Sequence, residues 1–186
     1  MTSQTLPSLA SSSALAQDAV LAAGTDPQQY LTFHLGAEMF AMSILAIREI
    51  IEYHALTEVP LVPSLIRGVI NLRGSVVPVV DLAVRFGRTP HPVSKRTCIV
   101  IVETASDDNT SDSASQHKMG MVVDAVSEVL EIPPQAIEPA PEFGTRLRTD
   151  FIRGMANINQ QFVVLIDIDR ILSLQEIAVR SALRSE

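Results

Sequence analysis

Ile66-Arg67-Gly68-Val69-Ile70-Asn71-Leu72 is answered further along the chain by Ile152-Arg153-Gly154-Met155-Ala156-Asn157-Ile158. The match runs on without a gap through Val77/Val163, Val79/Leu165, Val80/Ile166, Asp81/Asp167 and Leu82/Ile168. A second echo lies upstream of each copy. Met42, Ala46, Ile47, Glu49, Ile50, Ile51 and Glu52 correspond to Met121, Ala125, Val126, Glu128, Val129, Leu130 and Glu131. Two blocks in the same order predict two similar small β units related by an approximate two-fold. Two copies make a paired module, not a solenoid or propeller. Paired units leave a groove between them, and a groove without catalytic residues suits a binding protein.

The rest of the composition agrees with such a module. A chain of 186 residues fits one compact domain or two intimately packed small ones. Hydrophobic residues make up 47%, but aromatics only 4% and Trp is absent, so the core must come from Val, Ile, Leu and Met. That palette favours strands, where β-branched side chains fill a pleated surface. A net charge of −7 argues against long-range attraction to nucleic acid or an anionic membrane. The single cysteine, Cys98, excludes an intrachain disulfide and fits a reducing compartment. No apolar run approaches the ~20 residues of a membrane span. The first Lys or Arg is Arg48, so the positive n-region of a secretory signal is missing and a cytoplasmic protein is expected.

Residues 1–27, rich in Ser, Ala, Thr and Gln, are expected to form a flexible tail. An ordered domain is expected over 28–175, with a first barrel unit at roughly 28–95 and a second at roughly 96–172 that share strands. A C-terminal helix and tail should occupy 174–186, opened by the capping box Ser173-x-x-Glu176. Tyr30, Thr32 and His34 alternate with Leu31, Phe33 and Leu35, and Gly36-Ala37 turns the chain into Met39–Ile44, which is a hairpin pattern. Leu45–Glu52 mixes two periods and reads as a turn of helix, a strand, or one after the other. A short helical segment is expected after Pro60 and Pro63, ending at Gly68. Arg73-Gly74 marks the next hairpin turn, matched by Asn159-Gln160 in the second copy. Pro78 cannot donate a ladder bond, so it marks an edge or a bulge. The strand Arg96–Glu103 and its partner Met119–Val123 flank a Ser/Asp-rich loop at Thr104–His117.

Catalytic chemistry has little footing here. His34, His54, His91 and His117 are scattered and none stands at metal-ligand spacing from Cys98. Cys98 lies inside an apolar strand, where a small buried hydrophobe is the plainer reading and a nucleophile the sharper one. Asp81 and Asp167 occupy the same repeat position, which suits a structural task done twice, such as a strand-end cap. Where the copies differ is more telling. Arg73 and Gly74 have no counterpart in the second unit. Arg73 is either a solvated turn residue or a guanidinium anchor for a partner.

Asn71-Leu72-Arg73-Gly74-Ser75-Val76-Val77-Pro78-Val79-Val80-Asp81-Leu82 resembles the signature of CheW-like chemotaxis adaptors. So do Ile66-Arg67-Gly68-Val69, Met121-Val122-Val123-Asp124-Ala125-Val126 and Pro139-Ala140-Pro141-Glu142-Phe143. The resemblance runs from about Gln28 to the C-terminal helix. It implies a mainly β fold: two pseudo-two-fold-related SH3-like β-barrel subdomains with short helices and a C-terminal helix. It also implies a non-catalytic adaptor, without cofactor or metal, recruited to membrane-associated receptor arrays but not inserted in the membrane. Its partners would be the regulatory domain of a CheA-type histidine kinase and the cytoplasmic tip of a chemoreceptor. Carried over by motif position, the receptor-binding groove would involve Ile47, Glu49, Gly68, Arg73, Cys98, Val126 and Val129. Glu142 and Phe143 would make a second kinase contact that closes rings. Each has a structural alternative: Ile47, Val126 and Val129 as core, Phe143 as a barrel plug. An adaptor of a pilus or twitching system, or a small β-barrel hydrolase using Cys98, would be the rival functions.

Overall fold

The structure, a computed structural model, describes residues 26–104, 117–140 and 149–173. The N-terminal tail, the centre of the long loop, the 174–186 helix and both Glu142 and Phe143 lie outside the described residues. The chain is mainly β. In order come β1 (Gln28–Leu35), β2 (Glu38–Ser43), a 3-10 turn at Ile44–Ala46, β3 (Ile47–Glu52), β4 (Ile66–Leu72), β5 (Ser75–Asp81) and the one-turn helix α1 (Leu82–Arg85). Then follow β6 (Cys98–Thr104), β7 (His117–Val123), β8 (Ala125–Ile132), β9 (Ile137–Glu138), β10 (Ile152–Ile158), β11 (Gln161–Ile166) and α2 (Ile168–Ile171). The 44–52 stretch, with its two periods, is thus a helical turn and then a strand. The helix expected before Gly68 is absent: Pro60 to Leu65 make turns, and β4 begins at Ile66. Among the described residues no helix is long and apolar enough to cross a membrane.

The strands form two sheets, ordered β8-β1-β2-β11-β10-β9 and β3-β6-β7-β5-β4. The duplication explains both orders. In the six-stranded sheet the β1–β2 hairpin of the first copy is flanked by β8 and by β11–β10–β9 of the second. In the five-stranded sheet the β6–β7 hairpin of the second copy is flanked by β3 and by β5–β4 of the first. Each copy lends its hairpin to the other. Each sheet therefore mixes strands from 28–95 with strands from 96–172, and the boundary near residue 95 falls between β5 and β6 of one sheet. The registers repeat as well: Val79 faces Gly120 in one parallel ladder and Leu165 faces Ala41 in the other. A bulge between Ile66 and Gly68 recurs between Ile152 and Gly154.

Burial follows from this arrangement. One core belongs to each sheet, Tyr30, Ala41, Ile132, Ala156, Val163 and Leu165 in one and Ile70, Val77, Val79, Ile99, Ile101 and Val122 in the other. A larger third core, including Phe33, Phe40, Met42, Val100, Met121 and Phe151, draws on strands of both sheets. Central strands are thus covered on both faces. That is why Tyr30 and Thr32, alternating with apolar residues in the sequence, are themselves buried at 3% and 0% exposure. Thr32 meets its polar demand by donating to the Glu128 carbonyl at 2.8 Å. Each fully buried aliphatic side chain contributes ~1.5–3 kcal/mol.

Asp81 and Asp167 do perform one task twice. Asp81 caps α1 by accepting from the Val84 N–H, and Asp167 caps α2 by accepting from the Arg170 N–H. The two caps differ in what else they hold. Asp81 is buried and also accepts from Arg67 Nη1 at 2.6 Å, whereas Asp167 is half-buried and faces Arg170 at 3.7 Å. Asp81→Ala should therefore cost about 3 kcal/mol, a lost cap plus a stranded, partly buried guanidinium. Asp167→Ala should cost about 1 kcal/mol. Urea unfolding of the two variants measures the difference, and equal losses would contradict the asymmetry.

Candidate functional site

In the five-stranded sheet, β3 and the segment after it meet β4 and the turn that follows β4, and three of the expected groove residues lie along that seam. β3 supplies Glu49, and the turn between β4 and β5 supplies Arg73. Arg73 Nη2 donates to Glu49 Oε2 at 2.7 Å. Just below, Thr57 bridges to Val69 of β4 through two backbone hydrogen bonds of 3.0 and 2.9 Å. Gly68 sits beneath this bridge. A Cβ there would come within 2.5 Å of the Thr57 carbonyl oxygen, and its φ of +152° is one that L side chains rarely adopt. The repeat counterpart behaves alike, since a Cβ on Gly154 would meet Ile137 Cγ2 at 2.5 Å under β9. Gly68 is thus buried and acts as a spacer that lets two chain segments touch.

Arg73 is 84% exposed in its side chain, Glu49 only 24%. An ion pair this open contributes ~0–1 kcal/mol to stability. The backbone is more revealing. Arg73 has φ +51° and Gly74 φ +85°, a two-residue hairpin turn with both central residues left-handed. In the second copy Asn159 and Gln160 adopt φ +51° and +65°. Asn is the residue that tolerates this region, whereas a non-glycine residue without such a side chain costs about 1–2 kcal/mol. Placing Arg at the first position works against turn stability. Asn71 Oδ1 compensates in part by accepting from the Gly74 N–H at 2.9 Å. A residue held against its conformational preference, with its charge in solvent, is where a binding role is to be sought.

The apolar candidates divide. Ile47, Cys98 and Val126 are partly buried and pack against the core drawn from both sheets. They are core and rim at once. Val129 on β8 is 44% exposed and takes no part in that packing. Its repeat counterpart Ile50 on β3 is 42% exposed. Position-by-position carry-over missed Ile50, although the duplication itself points to it. Leu45, in the turn before β3, is 86% exposed and adds a further apolar side chain that composition alone did not single out. The Cys98 thiol donates to the Arg96 carbonyl at 3.3 Å, a contact that supplies no general base. Among the described residues no group of three or more His, Cys, Asp and Glu side chains could hold a metal ion.

These features define a duplicated, strand-exchanged β module whose notable surface is an ion-paired seam with exposed aliphatic side chains on β3 and β8. The chain belongs to the CheW-like domain family, whose model matches residues 29–176. It is 34% identical to the chemotaxis protein CheW of Klebsiella aerogenes over 165 residues, covering 89% of this chain and 93% of that one. A probable chemotaxis protein CheW of Rhizobium etli is 32% identical, covering 80% and 90%. Protein FrzA of Myxococcus xanthus is 28% identical, covering 85% and 94%. In three dimensions the chain resembles the crystal structure of the scaffolding protein TtCheW from Thermoanaerobacter tengcongensis, with a TM-score of 0.68 and 33% identity, covering 78% and 87%.

Proposed function

We propose that this chain is a non-catalytic adaptor that couples chemoreceptors to a CheA-type histidine kinase within cytoplasmic signalling arrays. The observation that carries this reading is Arg73, left-handed, exposed, and tied to Glu49 across the seam. Arg73 and Glu49 present a charge pair to a receptor helix, while Ile47, Cys98, Val126 and Val129 offer it aliphatic surface. An amphipathic helix binds such a surface by its apolar face and is oriented by its polar one. Gly68 contributes by keeping the seam tight. Glu142 and Phe143 would serve a second kinase contact.

The adaptor acts by simultaneous contact. Holding receptor and kinase on one small module raises the effective concentration of each for the other. A receptor change then biases the kinase only if the bridged contacts differ between receptor states. A three-component pull-down tests this. The chain should retain a kinase regulatory-domain fragment and a receptor-tip fragment together, and should increase recovery of one by the other. Recovery of neither fragment would defeat the reading.

A further inference from the structure

Glu49 and Glu128 are repeat counterparts, and their strands are held alike. β3 pairs with β6 through Ile47 with Val102, Ile50 with Val100 and Glu52 with Cys98. β8 pairs with β1 through Val126 with Phe33, Val129 with Leu31 and Glu131 with Gln29. Both ladders are interrupted by a bulge at the glutamate. The facing turns correspond too, since Arg73 and Asn159 each hold φ +51° at the first position of their hairpin turns. In the first copy the turn residue closes an ion pair, Arg73 Nη2 donating to Glu49 Oε2 at 2.7 Å. In the second copy Asn159 carries no charge, and Glu128 makes no ion pair among the described residues. Its backbone is nevertheless pinned. Buried Thr32 donates to the Glu128 carbonyl at 2.8 Å and accepts from its N–H at 3.2 Å, whereas the first copy sets the apolar Ile101 against Glu49. The bulge leaves Ser127, Glu128 and Val129 exposed in succession. Glu131 differs, because it accepts from Gln29 Nε2 at 3.3 Å.

A partner that covers Val129 must therefore also take water from the Glu128 carboxylate. An uncompensated carboxylate beneath an interface opposes binding, and a cation brought by the partner turns the same contact favourable. The net charge of −7 draws such a partner in. Resting on the reading of this surface as the receptor-helix site, we propose that the receptor helix brings a basic residue, Arg or Lys, to Glu128. That residue takes the part toward Glu128 that Arg73 takes toward Glu49. At β3 the chain supplies both charges of the pair, and at β8 it supplies one and the partner the other. The difference sets the direction of the bound helix. A surface built twice would otherwise admit a helix in two orientations, and only one of them places its cation at Glu128.

Titration calorimetry of the full chain with a helical-hairpin fragment of a chemoreceptor tip tests the assignment. Glu128→Gln should weaken the fragment about tenfold and flatten the fall of affinity with added salt. Asn159→Arg rebuilds the first-copy ion pair in the second copy, on a backbone already at the matching φ. It should weaken the fragment to a similar extent, because the chain's own guanidinium then occupies the carboxylate. Glu131→Gln should change affinity less than about twofold, since that carboxylate is already engaged by Gln29. In thermal melts the free Glu128→Gln protein should match the wild type. Unchanged affinity and salt dependence in Glu128→Gln would overturn the proposal. So would a free Glu128→Gln protein that melts well below wild type, which would mean that the chain itself supplies the cation. A wild-type chain that binds no receptor fragment at all is a separate result, and it defeats the receptor reading on which the role of Glu128 rests.

Discussion

Arg73→Glu is expected to lose the ternary complex with kinase and receptor fragments while the protein stays folded. A truncated or reversed interface anchor costs at least ~2 kcal/mol in binding, or ~30-fold in affinity, and often more. Reversal is harsher than truncation here, because residue 73 would then face Glu49 with like charge. The cost to the fold is small by comparison. The lost pair is worth ~0–1 kcal/mol, and its exposure lets the two carboxylates separate into water. Glu is no less suited than Arg to the left-handed turn. Melting should shift by only a few degrees. A variant that melts like wild type and still bridges both partners removes Arg73 from the site.

Gly68→Ala is the opposite experiment, with the largest expected effect on stability. The added methyl would lie 2.5 Å from the Thr57 carbonyl oxygen, and that atom is backbone held by the bridge to Val69. Overpacking against rigid atoms and a φ of +152° together should cost about 3–5 kcal/mol. Much of the stability of a small domain would go with it. Gly74→Ala is the control, since its Cβ would meet nothing within 4 Å and only the left-handed φ of +85° is at issue. That substitution should cost about 1 kcal/mol. Urea denaturation separates the two. If Gly68→Ala unfolds like wild type yet fails to bind, Gly68 touches the partner and is not merely a spacer beneath the seam.

Much of the fold could be read from the repeat, because matched residues demand matched surroundings. Ile66–Leu82 and Ile152–Ile168 do form equivalent hairpins, bulges and caps. The exchange of hairpins could not be read there. Periodicity along a strand reports which faces are covered, and β1 would alternate identically beside either copy's strands. Pro78 was legible as a ladder breaker, but its meaning was not. β5 lies inside its sheet rather than at an edge, and the proline opens one flank only. At the site, Glu49 and Arg73 stood out as charges within an apolar motif, and their pairing, between a strand and a turn 24 residues apart, needed the tertiary structure. The left-handed backbone at Arg73 was hidden because Gly74 alone satisfied the expected turn. Ile50 was overlooked although Val129, its counterpart, was in view.

Hairpin exchange also governs how the molecule comes into being. A nascent chain emerging from the ribosome carries β1 and β2 with no neighbours until β8 and then β10 and β11 have been made. The N-terminal half cannot mature ahead of the C-terminal half, so folding during synthesis unit by unit is closed to it. Pairings this distant along the chain are slow to form. A polypeptide severed between β5 and β6 leaves two fragments with exposed strand edges, each able to complete only the other.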